Sequence, residues 1–438
     1  MTPSRKFGET GARDVTEVRL NYVTEINPSK SEVSSLPDET EVSFIPMEDF
    51  GRRNSINGST TRPIKEVYDG YTYFAEGDVV IAKITPCFEN QKGAICRNLT
   101  NGIGFGTTEL YVLRPSSDLE PRYLWYVLRS KPFMDDGVAS MRGAAGQQRV
   151  PSEFVENFSI PLYEQETQRA IADYLDERIT KIDTLIDKKS ELLDLLEDKK
   201  ESITTEYTTR GVDSQNTLKS VEQEWVGKVP SHWEETRIGS LIEEVKNPVD
   251  VDESEEYQEI GIRSYGKGIF HKEPVEGEDI GDKRVFWVEN NALIFNIVFA
   301  WEGAVAVTSE DEVGMIASHR FPMYVPKQDV CLEYLKYFFT HGYGQGILDW
   351  NSPGAAGRNR TLNRSAMLNE RFWFPSFEEQ QRIVESISRK VNLIDELSGN
   401  IEKSIELLKE KRETLITAAV AGQIDVTEEQ GEEQESFA

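Results

Sequence analysis

The chain has only three cysteines in 438 residues, Cys87, Cys96 and Cys331. None stands in a Cys-x-x-Cys spacing, which argues against a disulfide scaffold or a thiolate metal site and fits a reducing compartment. The four histidines, His232, His271, His319 and His341, are scattered without metal-ligand spacing. No run of about 18 apolar residues exists, so no membrane-spanning helix is expected. The opening Met1-Thr2-Pro3-Ser4-Arg5-Lys6 lacks the apolar stretch of a secretory signal, and a cytoplasmic location is expected. Basic residues are also scarce: 49 Lys and Arg face 77 Asp and Glu, for a net charge of −28. A chain this acidic repels nucleic acid as a whole. A polyanionic partner would have to be met by local departures from that acidity.

Catalytic signatures are missing too. There is no Gly-x-x-x-x-Gly-Lys-Ser/Thr loop, no Gly-x-Ser-x-Gly elbow and no His-Glu-x-x-His. Asn27-Pro28-Ser29 and Asn247-Pro248-Val249 do not match the Asn-Pro-Pro-aromatic motif of amino-methyltransferases. Gly102-Ile103-Gly104-Phe105-Gly106 is a weak glycine match and reads as a strand edge or turn. Glu197-Asp198-Lys199 has nuclease-like spacing but falls in a helical pattern, where it reads as a solvated face. No catalytic residue, metal site or resident cofactor is expected.

What the chain does have is a duplication. Gly143-Ala144-Ala145-Gly146-Gln147-Gln148-Arg149 returns as Gly354-Ala355-Ala356-Gly357-Arg358-Asn359-Arg360, an offset of 211 (354 − 143). Around it, Val79–Ile84 matches Ala292–Asn296, and Leu110–Pro115 matches Phe321–Pro326. These read as buried strands, while Tyr123–Leu128 and Tyr334–Phe339 read as short helices. A period this long is one globular unit used twice, not a solenoid. The joint at Gly211–Val221 is polar and reads as a linker.

Two long helical patterns repeat at an offset of 212 (387 − 175). Leu175, Ile179, Ile182, Ile186, Lys189, Leu193, Leu196, Lys200 and Ile203 are spaced alternately by four and three. Ile387, Val391, Ile394, Ser398, Ile401, Ile405, Leu408, Arg412 and Leu415 repeat that spacing position by position, all at the same offset. This is the a/d seam of a coiled coil, roughly 60 Å long if it runs from Gln168 to Thr208. The two copies are expected to pair antiparallel. Lys189 and Ser398 are polar where the other copy is apolar, which can fix register.

Four stretches carry no Asp or Glu. They are Gly51–Lys65 with Arg52, Arg53 and Arg62; Val138–Ser152 with Arg142 and Arg149; Ile260–Lys272 with Arg263 and Lys267; and Asn351–Asn369 with Arg358, Arg360 and Arg364. At this acid content roughly two or three acids are expected in each, so these are candidate basic patches. Rich in Gly, Asn, Ser and Thr, they read as loops. Arg, Gln and Asn pair two-pronged with guanine and adenine edges in the major groove. Gln147, Gln148 and Asn359 join the arginines for that reason, and Lys83 and Arg320 complete the candidate DNA contacts.

At this point the chain resembles the DNA-specificity (S) subunits of Type I restriction-modification systems. Val42-Ser43-Phe44-Ile45-Pro46-Met47-Glu48 and Asp78–Asn90 look like one class of their target-recognition domain. Gly261–Phe270 and Phe295–Ala304 look like another. Pro161-Leu162-Tyr163-Glu164-Gln165 and Pro375-Ser376-Phe377-Glu378-Glu379-Gln380 resemble the lead-in to two spacer helices, and Gly227–Trp233 resembles the opening of a second half. Order and duplication carry the match more than any single motif.

The resemblance implies an α+β fold: two pseudo-twofold-related mixed α/β target-recognition domains joined by two long antiparallel coiled-coil helices. The expected divisions are residues 1–160 and 214–374 for the two domains, 161–213 and 375–425 for the central and C-terminal spacer helices, and 426–438 for an acidic tail. Each domain would read half of a split double-stranded DNA sequence, and the helices would set the gap. Two modification (methyltransferase) subunits would bring S-adenosylmethionine and adenine-N6 methylation; ATP-driven, Mg-dependent restriction subunits would cleave. The competing expectation is a coiled-coil scaffold that binds proteins without reading DNA.

Overall fold

A computed structural model describes residues 15–424 and 426, except 145, 214, 222–226, 282, 328 and 355–359. The chain divides into two compact units, residues 1–189 with 402–438, and residues 190–401.

In the first unit, β1 (Thr16–Arg19) pairs antiparallel with β10 (Ser159–Leu162), bringing the ends of the globular part together. A four-stranded antiparallel sheet runs in the order β2 (Thr24–Ile26), β9 (Leu110–Pro115), β6 (Val79–Ala82), β7 (Gly93–Ile95). A second sheet has the order β4 (Thr60–Pro63), β3 (Glu41–Ile45), β8 (Ile103–Gly106), β5 (Thr72–Ala75), with β3 and β8 parallel.

Strand alternation decides which layer each β6 side chain enters. Val79 and Ile81 join a core with Tyr123, Leu124 and Trp125 of α1 (Pro121–Val127). Val80 turns the other way, onto Ile45, Phe50 and Phe74 near the second sheet. Asp78, just before β6, is buried and clamped by Arg114 of β9 through two bonds of 2.8 and 2.9 Å. Ile103–Gly106 of the weak glycine motif form β8, and Gly102 (φ 70°) ends the turn before it; a Cβ on Gly104 would come within 2.1 Å of the Phe74 ring. Next in the chain come α2 (Lys131–Ser140) and the long helix α3 (Gln165–Arg210).

The second unit repeats this plan. Here β11 (Glu234–Arg237) pairs with β18 (Arg371–Phe374) as β1 does with β10. Its four-stranded antiparallel sheet has the order β12 (Ile242–Val245), β17 (Met323–Pro326), β15 (Leu293–Phe295), β16 (Val305–Val307). Each strand is the counterpart, in sequence order, of one in the first unit. Leu293 and Phe295 face the core with α4 (Leu332–Thr340), and Ile294 faces the outer layer. That outer layer differs: β13 (Ile260–Ile262) and β14 (Ile269–His271) form a hairpin in place of the second four-stranded sheet. The helix pair α4 and α5 (Gly342–Trp350) matches α1 and α2. Helix α6 (Phe377–Val420) follows β18.

The joint is more structured than the sequence suggested. Leu218–Ser220 pairs antiparallel with Lys228–Pro230, so the proposed Gly211–Val221 linker holds a strand. Lys219 braces this pairing: its Nζ bonds the Ser231 and Trp233 carbonyls and lies 3.9 Å from the Trp373 ring centre.

The helices dock by a duplicated device. Gln168 is fully buried; its amide accepts from the Glu120 N–H (2.8 Å) and donates to the Asp118 and Tyr163 carbonyls (2.9 and 2.8 Å). Its counterpart Gln380 accepts from the Cys331 N–H (2.8 Å) and donates to the Asp329 and Pro375 carbonyls (3.4 and 3.0 Å). A buried amide satisfied on both sides fixes each helix start against its own unit.

Within each unit the helices run antiparallel. In the first, Tyr163 reaches the Val420 carbonyl (3.2 Å) while Asp183 pairs with Arg412 (2.9 Å). In the second, Lys200 pairs with Asp395 (2.8 Å) and Lys390 lies over the Tyr207 ring. Every seam residue read from the sequence is buried or partly buried. Glu197, Asp198 and Lys199 are exposed on the outer face. Among the described residues no helix is long and apolar enough to cross a membrane. The α+β fold class stands as expected.

Candidate nucleic-acid interface

In the first unit both acid-free stretches border one connection, residues 83–92, between β6 and β7. On one side, Gly93 N–H donates to the Gly51 carbonyl (3.1 Å) and Arg52 reaches the Asn90 amide oxygen (2.6 Å). On the other, Val150 N–H donates to the Lys83 carbonyl and Thr85 N–H to the Gln148 carbonyl, both at 2.9 Å. Arg142 and Arg149 exchange backbone bonds of 3.0 and 2.9 Å, closing a neck beyond which Gly143, Ala144, Gly146 and Gln147 are exposed. Positive φ at Gly143 (132°) and Gly146 (82°) suits this tight loop to glycine.

The side chains on this loop are not equally free. Arg149 is clamped by Glu109 through two bonds of 2.8 and 2.7 Å. That guanidinium holds the Glu109 carboxyl below the usual range. Lys83 lies beside them over the Tyr111 ring, at 5.1 Å, and its burial lowers its pKa. The Arg142 side chain has no partner among the described residues, Gln147 is exposed and Gln148 partly so. Arg53 is turned away from the loop onto α3, against Asp187 (2.9 Å) and Asp183 (3.2 Å). Arg62 lies over the Phe44 ring, at 4.1 Å, on the second sheet.

The second unit repeats the arrangement around residues 296–304, the connection between β15 and β16. The tip of the β13–β14 hairpin docks there, with Tyr265 N–H on the Glu302 carbonyl (2.8 Å) and Gly266 N–H on the Gly303 carbonyl (2.9 Å). Leu362 N–H donates to the Ile297 carbonyl from the other stretch (2.8 Å), and Ile297 N–H to the Arg320 carbonyl (3.1 Å). Arg360, the counterpart of Arg149, is likewise clamped: it pairs with Asp349 (2.7 Å), bonds the Ser352 carbonyl (2.8 Å) and lies over the Trp301 ring. Arg364 opens a short helix, Arg364–Asn369, and pairs with Glu244. Arg263 and Lys267 are exposed near the hairpin tip, and the Arg320 side chain has no partner among the described residues. Arg358 and Asn359 lie outside the described residues.

The structure thus gathers Arg52, Lys83, Arg142, Gln147, Gln148 and Arg149 along one connection, and Arg263, Lys267, Arg320 and Arg360 along its counterpart. Arg53, Arg62 and Arg364 have their contacts elsewhere. The loop expectation holds in part only: Ile260, Ile262, Ile269 and Phe270 pack as strands, and Arg364 starts a helix. Sequence reading missed the clamping acids Glu109 and Asp349, both outside the acid-free stretches. No group of three or more His, Cys, Asp or Glu is placed to hold a metal ion among the described residues.

Residues 12–195 match the family model of the Type I restriction modification DNA specificity domain. The chain carries a Type I restriction-modification DNA specificity domain. The matched stretch takes in the first connection, its projecting loop and the first part of α3. The specificity subunit of the Escherichia coli Type I restriction enzyme EcoAI is 41% identical over 219 residues, 49% of this chain and 35% of that relative. That of EcoEI, also from Escherichia coli, is 46% identical over 148 residues, 33% of this chain and 24% of the relative. These matches span about a third and a quarter of the two relatives' lengths. In fold, the chain resembles one solved in a study of complex assembly and conformational transition of the type I R-M system, with a TM-score of 0.71 at 16% identity. That likeness covers 95% of this chain and all of the other. The family resemblance read from the sequence is borne out.

Proposed function

We propose that this chain is the sequence-specific, non-catalytic DNA-binding subunit of a Type I restriction-modification complex, acting in the cytoplasm. Each unit reads one half of a split duplex site. The observation that carries this reading is the duplicated placement of the acid-poor stretches: in both units they flank the connection after the same sheet strand. Hydrogen-bonding side chains on such a rim suit base edges, and the free cations suit phosphates. S-adenosylmethionine, ATP and Mg would be held by partner subunits.

A second duplication supports docking of two like modification subunits. Leu185 and Leu407, in the first unit, are 48% and 65% exposed; their counterparts Leu397 and Leu195, in the second, are 46% and 62% exposed. By the seam register these leucines occupy g and c positions. Antiparallel pairing puts the g/c flanks of both helices on one side. Asp183 and Asp187, which meet Arg53, occupy e and b positions on the opposite flank. Each unit therefore offers the same apolar pair away from its globular part. Restriction subunits would join such an assembly.

Selection from a random-sequence duplex library by the assembled complex tests the proposal. The expected result is a motif of two short words separated by a fixed unread gap. Recovery of no motif, or of one continuous word, overturns it in favour of a protein-binding scaffold.

A further inference from the structure

We infer that Trp350 and Tyr265 form an apolar base-contact surface in the second unit, so that the two half-sites are read by different chemistry. This rests on the DNA-reading proposal above.

Helix α5 buries Ile347 and Leu348 and ends on Trp350, which is 82% exposed. An indole left in water forgoes much of the stabilisation its burial would bring. Trp350 shares an open groove of about 400 Å³ with Trp301 and Arg360. The groove wall is held in place: Arg360 lies 4.8 Å from the Trp301 ring centre and is anchored by Asp349. Tyr265 stands at the hairpin tip with φ of 61°, uncommon for an aromatic residue, and is 66% exposed. Its N–H bond to the Glu302 carbonyl places it on the turn that carries Trp301. Lys267 lies 6.0 Å from its ring centre, and Arg263 is exposed close by. The nearby acids are engaged, Asp349 by Arg360 and Glu302 by the Ser264 hydroxyl (2.9 Å).

Exposed ring faces beside cations suit nucleic acid. Rings stack on bases or meet thymine methyl groups, and cations meet phosphates. The first unit has no such residue at the matching place. The starts of α2 and α5 are offset by 211 (342 − 131), which sets Ala139 opposite Trp350. There the projecting loop offers the amides of Gln147 and Gln148 instead.

The test repeats the library selection with Trp350→Ala, Trp350→Phe and Tyr265→Ala in the assembled complex, with circular dichroism melts to establish folding. The alanine variants are expected to lose about tenfold in discrimination at one half-word, the size of one mismatched base pair, leaving the other intact. Trp350→Phe is expected to keep most of it. An unchanged motif, or uniform weakening with both half-words intact, overturns the inference while leaving the DNA reading in place. So does a Trp350→Ala chain that folds but fails to assemble, since the residue is then a protein contact. A wild-type selection without a split motif overturns the DNA reading itself.

Discussion

Arg412 donates to Asp183 at 2.9 Å, and the same pair recurs between the duplicated positions, with Lys200 donating to Asp395 at 2.8 Å. Each unit owns one copy, built from one stretch of α3 and one of α6. The copies differ in setting. Asp183 is buried and also receives Arg53, whereas Asp395 is half exposed. Removing Asp183 leaves the partly buried Arg412 guanidinium without its acceptor, while Arg53 keeps Asp187. Asp183→Ala is expected to cost about 2–4 kcal/mol and Asp395→Ala less than about 1 kcal/mol. Thermal melts of the two variants check this; equal shifts would count against the burial argument.

The leucine pairs predict how partners associate. Asp at Leu185 and Leu407 together is expected to remove one of two modification subunits while leaving the melt of the chain unchanged. Adding Asp at Leu195 and Leu397 should remove the second. Native mass spectrometry counts the subunits, and full occupancy after all four changes would sink the docking face.

Base and phosphate contacts separate by how they fail. Changing Gln147 and Gln148 to Ala should cost about 1–3 kcal/mol of discrimination confined to one half-word. Arg320→Ala should weaken all sequences alike and reduce the slope of log affinity against log salt by about 0.9. Glu109→Gln should raise sequence-independent affinity by releasing Arg149. Binding titrations at several salt concentrations distinguish these outcomes.

Acid should destabilise the chain in two steps. Burial holds the His341 pKa below its ordinary 6.5, opposed by the Tyr337 carbonyl, Glu201 and Glu197 and reinforced by Lys200. The unfolded chain then binds the extra proton first, so stability falls as pH drops below about 6.5. His341→Gln should flatten that limb. The Arg114 bonds hold the Glu32 carboxyl low, and Arg149 does the same for Glu109. Their contribution is present above the ordinary carboxylate value of 4.5 and is lost as pH falls through their lower folded values. Melts across pH would show a single acid limb if His341 were not involved.

Much of this was legible in the chain. The seam periodicity marked α3 and α6 because a coiled coil repeats its buried positions strictly. The strands around Val79 and Leu293 were legible because both faces are buried, which leaves continuous apolar runs. The duplicated Gln168 and Gln380 docking bonds were not legible, since burial of an amide depends on carbonyls brought from distant segments. Nor were the Glu109 and Asp349 clamps, which lie on other elements than the arginines they hold and come to them only through the fold. The acid-free stretches located the two rims but could not separate free cations such as Arg142 from neutralised ones such as Arg149. Trp350 gave no sequence signal, and Tyr265 none beyond its place in an acid-free stretch, because an aromatic residue at a helix end or hairpin tip reads like any core residue.

Under the proposed function, the two units read two words and the paired helices fix the distance between them. Inserting four residues after Leu193, about one helical turn or near 6 Å, and repeating the library selection tests it most directly. Both half-words are expected to persist unchanged while the gap between them changes. An unchanged gap with intact binding would contradict it.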